Sequence, residues 1–119
     1  LFNGWMTNAS ITNAKIAVMS AQNDLQKTKN QLRKEVEQVR ADVVAAEKQF
    51  QFTKKSAEAL QESFNYNQQK FNESMLNVYD YNDAKNKLIK AESDLLQAKY
   101  DYLFKLKILD FFMGKPLTL

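Results

Sequence analysis

Residues 71–88 read FNESMLNVYDYNDAKNKL, and the segment 71–77 within them is where an otherwise regular helical pattern loses its period. Before it, Ile11, Val18, Leu25, Leu32, Val39, Ala46, Thr53 and Leu60 follow one another at an unbroken spacing of seven. After it, Tyr81, Leu88, Leu95, Tyr102 and Leu109 do the same. A repeat of seven is the signature of helices that pack along a seam. Residues 5–113 contain neither glycine nor proline, while Gly4, Gly114 and Pro116 stand at the two ends. Such a composition suits long helices and little else. The chain is therefore read as all-α, a long unequal antiparallel coiled-coil hairpin: one helix over about residues 7–70, a tip at about 71–77 and a second helix over about 78–113.

The ends carry their own signals. Thr7, Asn8 and Ser10 can each cap the first helix, and Asn77 can cap the second with Asp80 three residues on, a capping-box arrangement. Gly114 suits the residue after the second helix and Pro116 the stop beyond it. Along the first helix the companion of the seam changes. It is three residues later and small at Ala14, Ala21 and Thr28, then four residues later and mostly large at Val36, Val43, Phe50, Ala57, Phe64 and Phe71. A change from three to four swings the apolar stripe around the helix, so the two halves are expected to face different partners. In the second helix Ala84, Ala91 and Ala98 alternate with the large residues, which allows close packing, and the apolar end at Leu103, Phe104, Leu106, Ile108, Phe111, Phe112 and Met113 requires cover.

At 1.5 Å per residue the arms measure roughly 95 Å and 50 Å, so about thirty residues of the first helix are expected to lack a partner within the hairpin. A hairpin has no third layer to close a core, and a second copy or another helix must supply one. The chain starts Leu-Phe-Asn without a signal-peptide pattern, as expected of a piece of a larger protein.

Composition narrows the function. The 119 residues are 45% hydrophobic and 26% charged, with a mean hydropathy of -0.54 and no apolar run long enough to span a bilayer as a helix. With no cysteine and no histidine, thiolate nucleophiles, imidazole bases and the commonest zinc ligands are lacking, and neither an enzyme nor a metal or cofactor site is expected. The net charge is +3, but the lysines are interspersed with acids in the manner of a solvated face, which argues against nucleic acid and against a membrane-surface helix. Asn65, Asn67, Gln68 and Gln69 suit either a neutral, water-lined wall or an ordinary solvent face.

Taken in order, the segments resemble the TolC-like outer-membrane efflux proteins, in the second of that family's two repeats. Residues 1–5, LFNGW, are similar to the segment where a barrel strand passes into the long periplasmic helix, and 14–17, AKIA, to the start of that helix. Residues 71–88 resemble the tip and return, with Asp80, Asp83 and Ala84 in an Asp-x-x-Asp-Ala pattern and Leu88 four residues on. Residues 91–95 and 97–102 match the returning helix, and 109–114 its closing Leu…Gly.

The resemblance implies an export duct: a homotrimer whose outer-membrane β-barrel, the sole membrane contact, continues as a barrel of α-helices through the Gram-negative periplasm. This chain would be wall and tip, a passive conduit for efflux or type I secretion that meets a periplasmic adaptor and an inner-membrane transporter. Asp80 and Asp83 fall on the family's pore-lining aspartates, and threefold assembly would gather the pair from each copy into a constriction. The local alternative for Asp80 is helix capping. Phe71, Ser74, Met75, Leu76 and Asn77 are the candidate tip contacts. Ser74 replaces the family's tip glycine, from which the turn is expected not to rely on a positive-φ residue. Leu76 stands where some members carry a basic tether, and Phe71 has no hydroxyl, leaving it a packing role. Phe50, Phe52, Phe64, Tyr66, Tyr79 and Tyr81 read as core aromatics around the turn, with adaptor contact as the other reading. A different class of function, a scaffold hairpin such as a periplasmic membrane-fusion adaptor, would call for arms of nearly equal length.

Overall fold

The computed structural model describes residues 3–115 and contains two helices, α1 (Asn3–Asn72) and α2 (Val78–Phe112), with no strand among the described residues. Helix α1 starts before the caps suggested by the sequence. Thr7, Asn8 and Ser10 lie inside it, and the Thr7 hydroxyl donates to the Asn3 carbonyl at 2.7 Å, as Thr12 does to Asn8 at 2.9 Å. A threonine whose hydroxyl returns to the preceding turn is tolerated within a helix, so an N-cap residue type need not be an N-cap. Of the segment 1–5, Leu1 and Phe2 lie outside the described residues, as does Pro116, whereas Asn3, Gly4 and Trp5 are helical.

The chain divides into two compact units at Gln38 and Val39. In the first, residues 3–38 are α1 alone, and every side chain but that of Val36 is exposed. The seam residues Ile11, Val18, Leu25 and Leu32 are about half accessible, at 49–56%. The unit boundary lies just beyond the change of the apolar step from three to four, whose first four-step pair is Leu32 and Val36.

The second unit, residues 39–115, holds the hairpin. Its buried residues are Val43, Ala46 and Ala57 of α1 and Leu88, Ala91 and Ala98 of α2, and alanine supplies four of these six. Alanine at a contact brings helix axes close, so a leucine in its place would overpack the seam by about 1–3 kcal/mol. Burial of Leu88 contributes about 1.5–3 kcal/mol. Aromatic pairs fix the register at both ends: Phe50 stacks on Tyr102 with ring centroids 6.2 Å apart, and Tyr81 packs against Phe64 at 5.6 Å and Phe71 at 4.5 Å. Thr53 keeps its seam position because its hydroxyl bonds the carbonyls of Gln49 and Phe50, both at 3.0 Å. The aromatic set named from the sequence divides here. Phe50, Phe64 and Tyr81 pack between the helices, while Phe52, Tyr66 and Tyr79 are 59–80% exposed.

The reversal occupies residues 73–77. The Met75 N–H reaches the Lys70 carbonyl at 2.8 Å and the Ser74 N–H reaches Phe71 at 3.0 Å, the paired bonds of a Schellman cap. Ser74 is its left-handed residue, at φ +57°. The expectation that the turn avoids a positive φ in the absence of glycine is thus incorrect: serine adopts the conformation itself, because the two cap bonds offset the crowding of its Cβ. The far end of α2 repeats the motif with Gly114 at φ +71°, Lys115 bonding to Asp110 and Gly114 to Phe111. No helix among the described residues is long and apolar enough to cross a membrane.

The turn makes a direct prediction. Ser74→Gly should raise stability by up to about 1 kcal/mol and Ser74→Val should lower it by at least as much, because β-branching disfavours positive φ. Urea unfolding followed by circular dichroism measures both, and a loss of stability in the glycine variant would contradict the assignment of strain to Ser74.

Candidate functional site

Immediately after the turn, Asn77 opens α2 with extended backbone at φ −78° and ψ 161°. Its Oδ1 accepts the Asp80 N–H at 2.8 Å while its Nδ2 donates to Asp80 Oδ2, also at 2.8 Å. This reciprocal pair is a capping box closed between side chains, and the carboxylate sits where the helix dipole favours negative charge. The capping role of Asp80 is therefore real. It fixes the carboxylate rather than hiding it, since both residues remain exposed.

One turn on, Asp83 Oδ2 accepts from Lys87 Nζ at 2.6 Å in an exposed pair four residues apart. The hydrogen bond that the Lys87 ammonium donates to this carboxylate, and then the carboxylate's charge, hold that ammonium above the usual lysine value of 10.5. A cation stabilised in this way keeps its folded-state contact fully below the unfolded value and loses it as the pH rises through the higher folded one.

Asp80, Asp83 and Lys87 line one side of a cleft of about 290 Å³ between the helices, with Leu60, Ser63 and Asn67 of α1 opposite and Leu76 of the turn at its end. A longer cleft of about 540 Å³ shares Leu60 and Lys87 with the first and continues along the hairpin past Lys90, Asp94 and Gln97. The α2 residues step by three and four alternately, which places them in one stripe. The hairpin thus has a polar flank that begins with two acids, continues with two lysines and returns to acid.

The candidate tip contacts do not act as one patch. Phe71 is stacked on Tyr81, Leu76 is half-buried in the cleft, Asn77 is engaged in the cap and Ser74 sets the turn. Met75 points outward at 72% exposure, joined by Val78 at 60% and Tyr79 at 80%. Asn67 belongs to the cleft, whereas Asn65 accepts a hydrogen bond from Gln61 on the surface at 2.9 Å. Lys87 and Ser63 were not singled out from sequence, and Asn67 was named only among the residues of a neutral wall or solvent face. The spacing of Asp83 and Lys87 could have pointed to that pair; placing Ser63 and Asn67 opposite it needed the helices to be brought together.

The model of the outer membrane efflux protein family matches residues 1–115. The chain belongs to that family. No curated protein matches the chain, and no solved structure does. The family is one of outer-membrane efflux channels, a transport family rather than a family of enzymes, of the Gram-negative envelope. Its members form trimers and work with adaptors and inner-membrane pumps. The helical hairpin is what this efflux family member contributes between residues 39 and 115.

Two measurements check the local chemistry. Asn77→Ala should cost about 1 kcal/mol by removing the cap from α2, read as a shifted urea midpoint. In an NMR titration, Lys87 should keep its proton to higher pH than in the Asp83→Asn variant; equal midpoints would show that the carboxylate does not hold it.

Proposed function

We propose that this chain is a wall segment and periplasmic tip of a trimeric efflux or secretion channel, a passive conduit that meets an adaptor and an inner-membrane pump at residues 71–79. The observation that carries the reading is the coincidence of the family match over residues 1–115 with a polar flank on which Asp80 and Asp83 stand together, next to the chain reversal. A duct wall performs no bond chemistry. It must present a hydrated polar surface to the lumen and be able to narrow.

In this reading the flank of Asp80, Asp83, Lys87 and Lys90 faces the passage, and Asn67 and Ser63 extend it with neutral groups. Around a threefold axis the aspartates of each copy converge, a ring of carboxylates that favours cations and repels its own closed arrangement. Asn77 holds each Asp80 at a fixed place in that ring. The outward apolar set of Met75, Val78 and Tyr79 is the contact offered to an adaptor, while Phe71 and Leu76 stiffen the turn beneath it. The seam of Ile11, Val18, Leu25 and Leu32 would be covered by another helix of the same assembly.

Replacing Asp80 and Asp83 together with alanine tests the gate. In the assembled full-length channel in a planar bilayer, the double variant should lose block by trivalent lanthanum and change its conductance, with hairpin stability lowered by only about 1 kcal/mol through the cap and dipole contributions. Undiminished block in the double variant would leave these carboxylates as the helix start alone.

A further inference from the structure

The turn at residues 73–77 interrupts the helix but not the phase of its repeat. Leu60 and Tyr81, on opposite sides of the turn, are 21 residues apart, three whole repeats, and the positions between them are Asn67 and Ser74. In a single helix, residues 60, 64, 67, 71, 74, 78 and 81 step by four and three alternately and form one stripe. Val78, which the turn leaves 60% exposed, belongs to that stripe. In a hairpin the two inward faces need no common phase, because the turn reorients one helix against the other. Nor do residues 73–77 contain a glycine or proline that would break a helix running through them. We propose that the hairpin exchanges its second helix with a second copy of the chain, α1 and α2 running on as one helix through 73–77 in an antiparallel domain-swapped dimer.

Exchange preserves the packing of the hairpin. The stacked pairs are placed evenly about Leu76, Phe50 and Tyr102 at 26 positions on either side and Phe71 and Tyr81 at 5. Two continuous helices lying antiparallel with their midpoint at Leu76 bring α1 of each copy onto α2 of the other in the same pairing, the alanine seam of 46, 57, 91 and 98 included. What changes is confined to the turn. Ser74 leaves φ +57° for helical backbone, the helix ends that meet there recover intrahelical partners, and Val78 enters the seam. Against this stand the bonds of the two caps, Met75 to Lys70, Ser74 to Phe71 and Asp80 to Asn77, and the freedom lost when two chains become one particle. A hairpin closes alone and the exchanged form needs two chains, so concentration decides between them. The exchange rests on packing and phase and is independent of any role in a duct.

The test uses the whole 119-residue chain, refolded from urea at increasing concentration, with its mass read by light scattering. Wild type should pass from monomer to dimer below about 1 mM. Chains in which only phenylalanine rings carry protons, mixed before refolding with chains in which only tyrosine rings do, should then show nuclear Overhauser contacts between Phe71 and Tyr81, whose rings are 4.5 Å apart. In such a mixture those contacts arise only between copies. Ser74→Ala should tighten the dimer about fivefold, since alanine favours helix, and Ser74→Gly should weaken it at least about tenfold, since glycine suits the turn and not the helix; each dimer holds two such hinges, so each effect counts twice. A chain that stays monomeric up to about 1 mM would overturn the exchange. So would a dimer that shows no Phe71 to Tyr81 contact between copies, because the chains would then associate side by side with both hairpins intact. Dimers of equal strength in the alanine and glycine variants would overturn it as well, since residue 74 would not then set the balance between the two forms.

Discussion

Two helix ends have to be closed within residues 73–77, and the rest of the hairpin depends on how that is done. Each end exposes backbone groups that lack intrahelical partners, four carbonyls on one side and four N–H groups on the other. The chain meets this with two motifs placed back to back. A Schellman cap centred on Ser74 returns N–H groups to Lys70 and Phe71, and the Asn77 side chain then takes the Asp80 N–H. Leu76 is left between them, half-buried, as the apolar plug of the turn. Only with both caps made does α2 return along α1 in the register that packs Tyr81 against Phe71 and Phe64. The same residue that completes the second cap, Asp80, is the first acid of the polar flank. Closure of the turn and presentation of charge are one event.

Close packing then determines what the flank can be. Alanine at 46, 57, 91 and 98 lets the helices approach, and aromatic pairs hold the two ends of the contact. Side chains too polar to enter this seam are pushed to its edge, where those of α1 and α2 face each other across a shallow cleft. Its charges are ordered along α2, acids at 80 and 83, lysines at 87 and 90, acid again at 94. A wall that conducts without reacting needs that kind of surface: hydrated, fixed in position by a dry seam behind it, and uneven in potential along its length. The separate helical unit of residues 3–38 has an equally regular seam, and its apolar residues are accessible. Regularity of pattern is therefore not the same as burial.

Much of this was legible in the residues themselves. Seven-residue spacing specifies which side of each helix is apolar, the lapse at 71–77 locates the reversal, and the freedom from glycine and proline excludes a competing architecture. The Asn77 and Asp80 cap is a local hydrogen-bond pattern and needs no tertiary context. What remained for the tertiary structure to decide was of another kind. Periodicity does not say which stretch of seam finds a partner, and residues 43–64 are packed while 11–32 are not. Residue type did not exclude a left-handed serine, because the energy that holds Ser74 at φ +57° lies in bonds to Lys70 and Phe71 that exist only once the helix ends there. Nor could it place Ser63 and Asn67 opposite Asp80 and Asp83, or turn Phe52, Tyr66 and Tyr79 away from the contact. Those relations depend on the register between two helices, which is set by how alanines and aromatic rings from distant parts of the chain fit against each other.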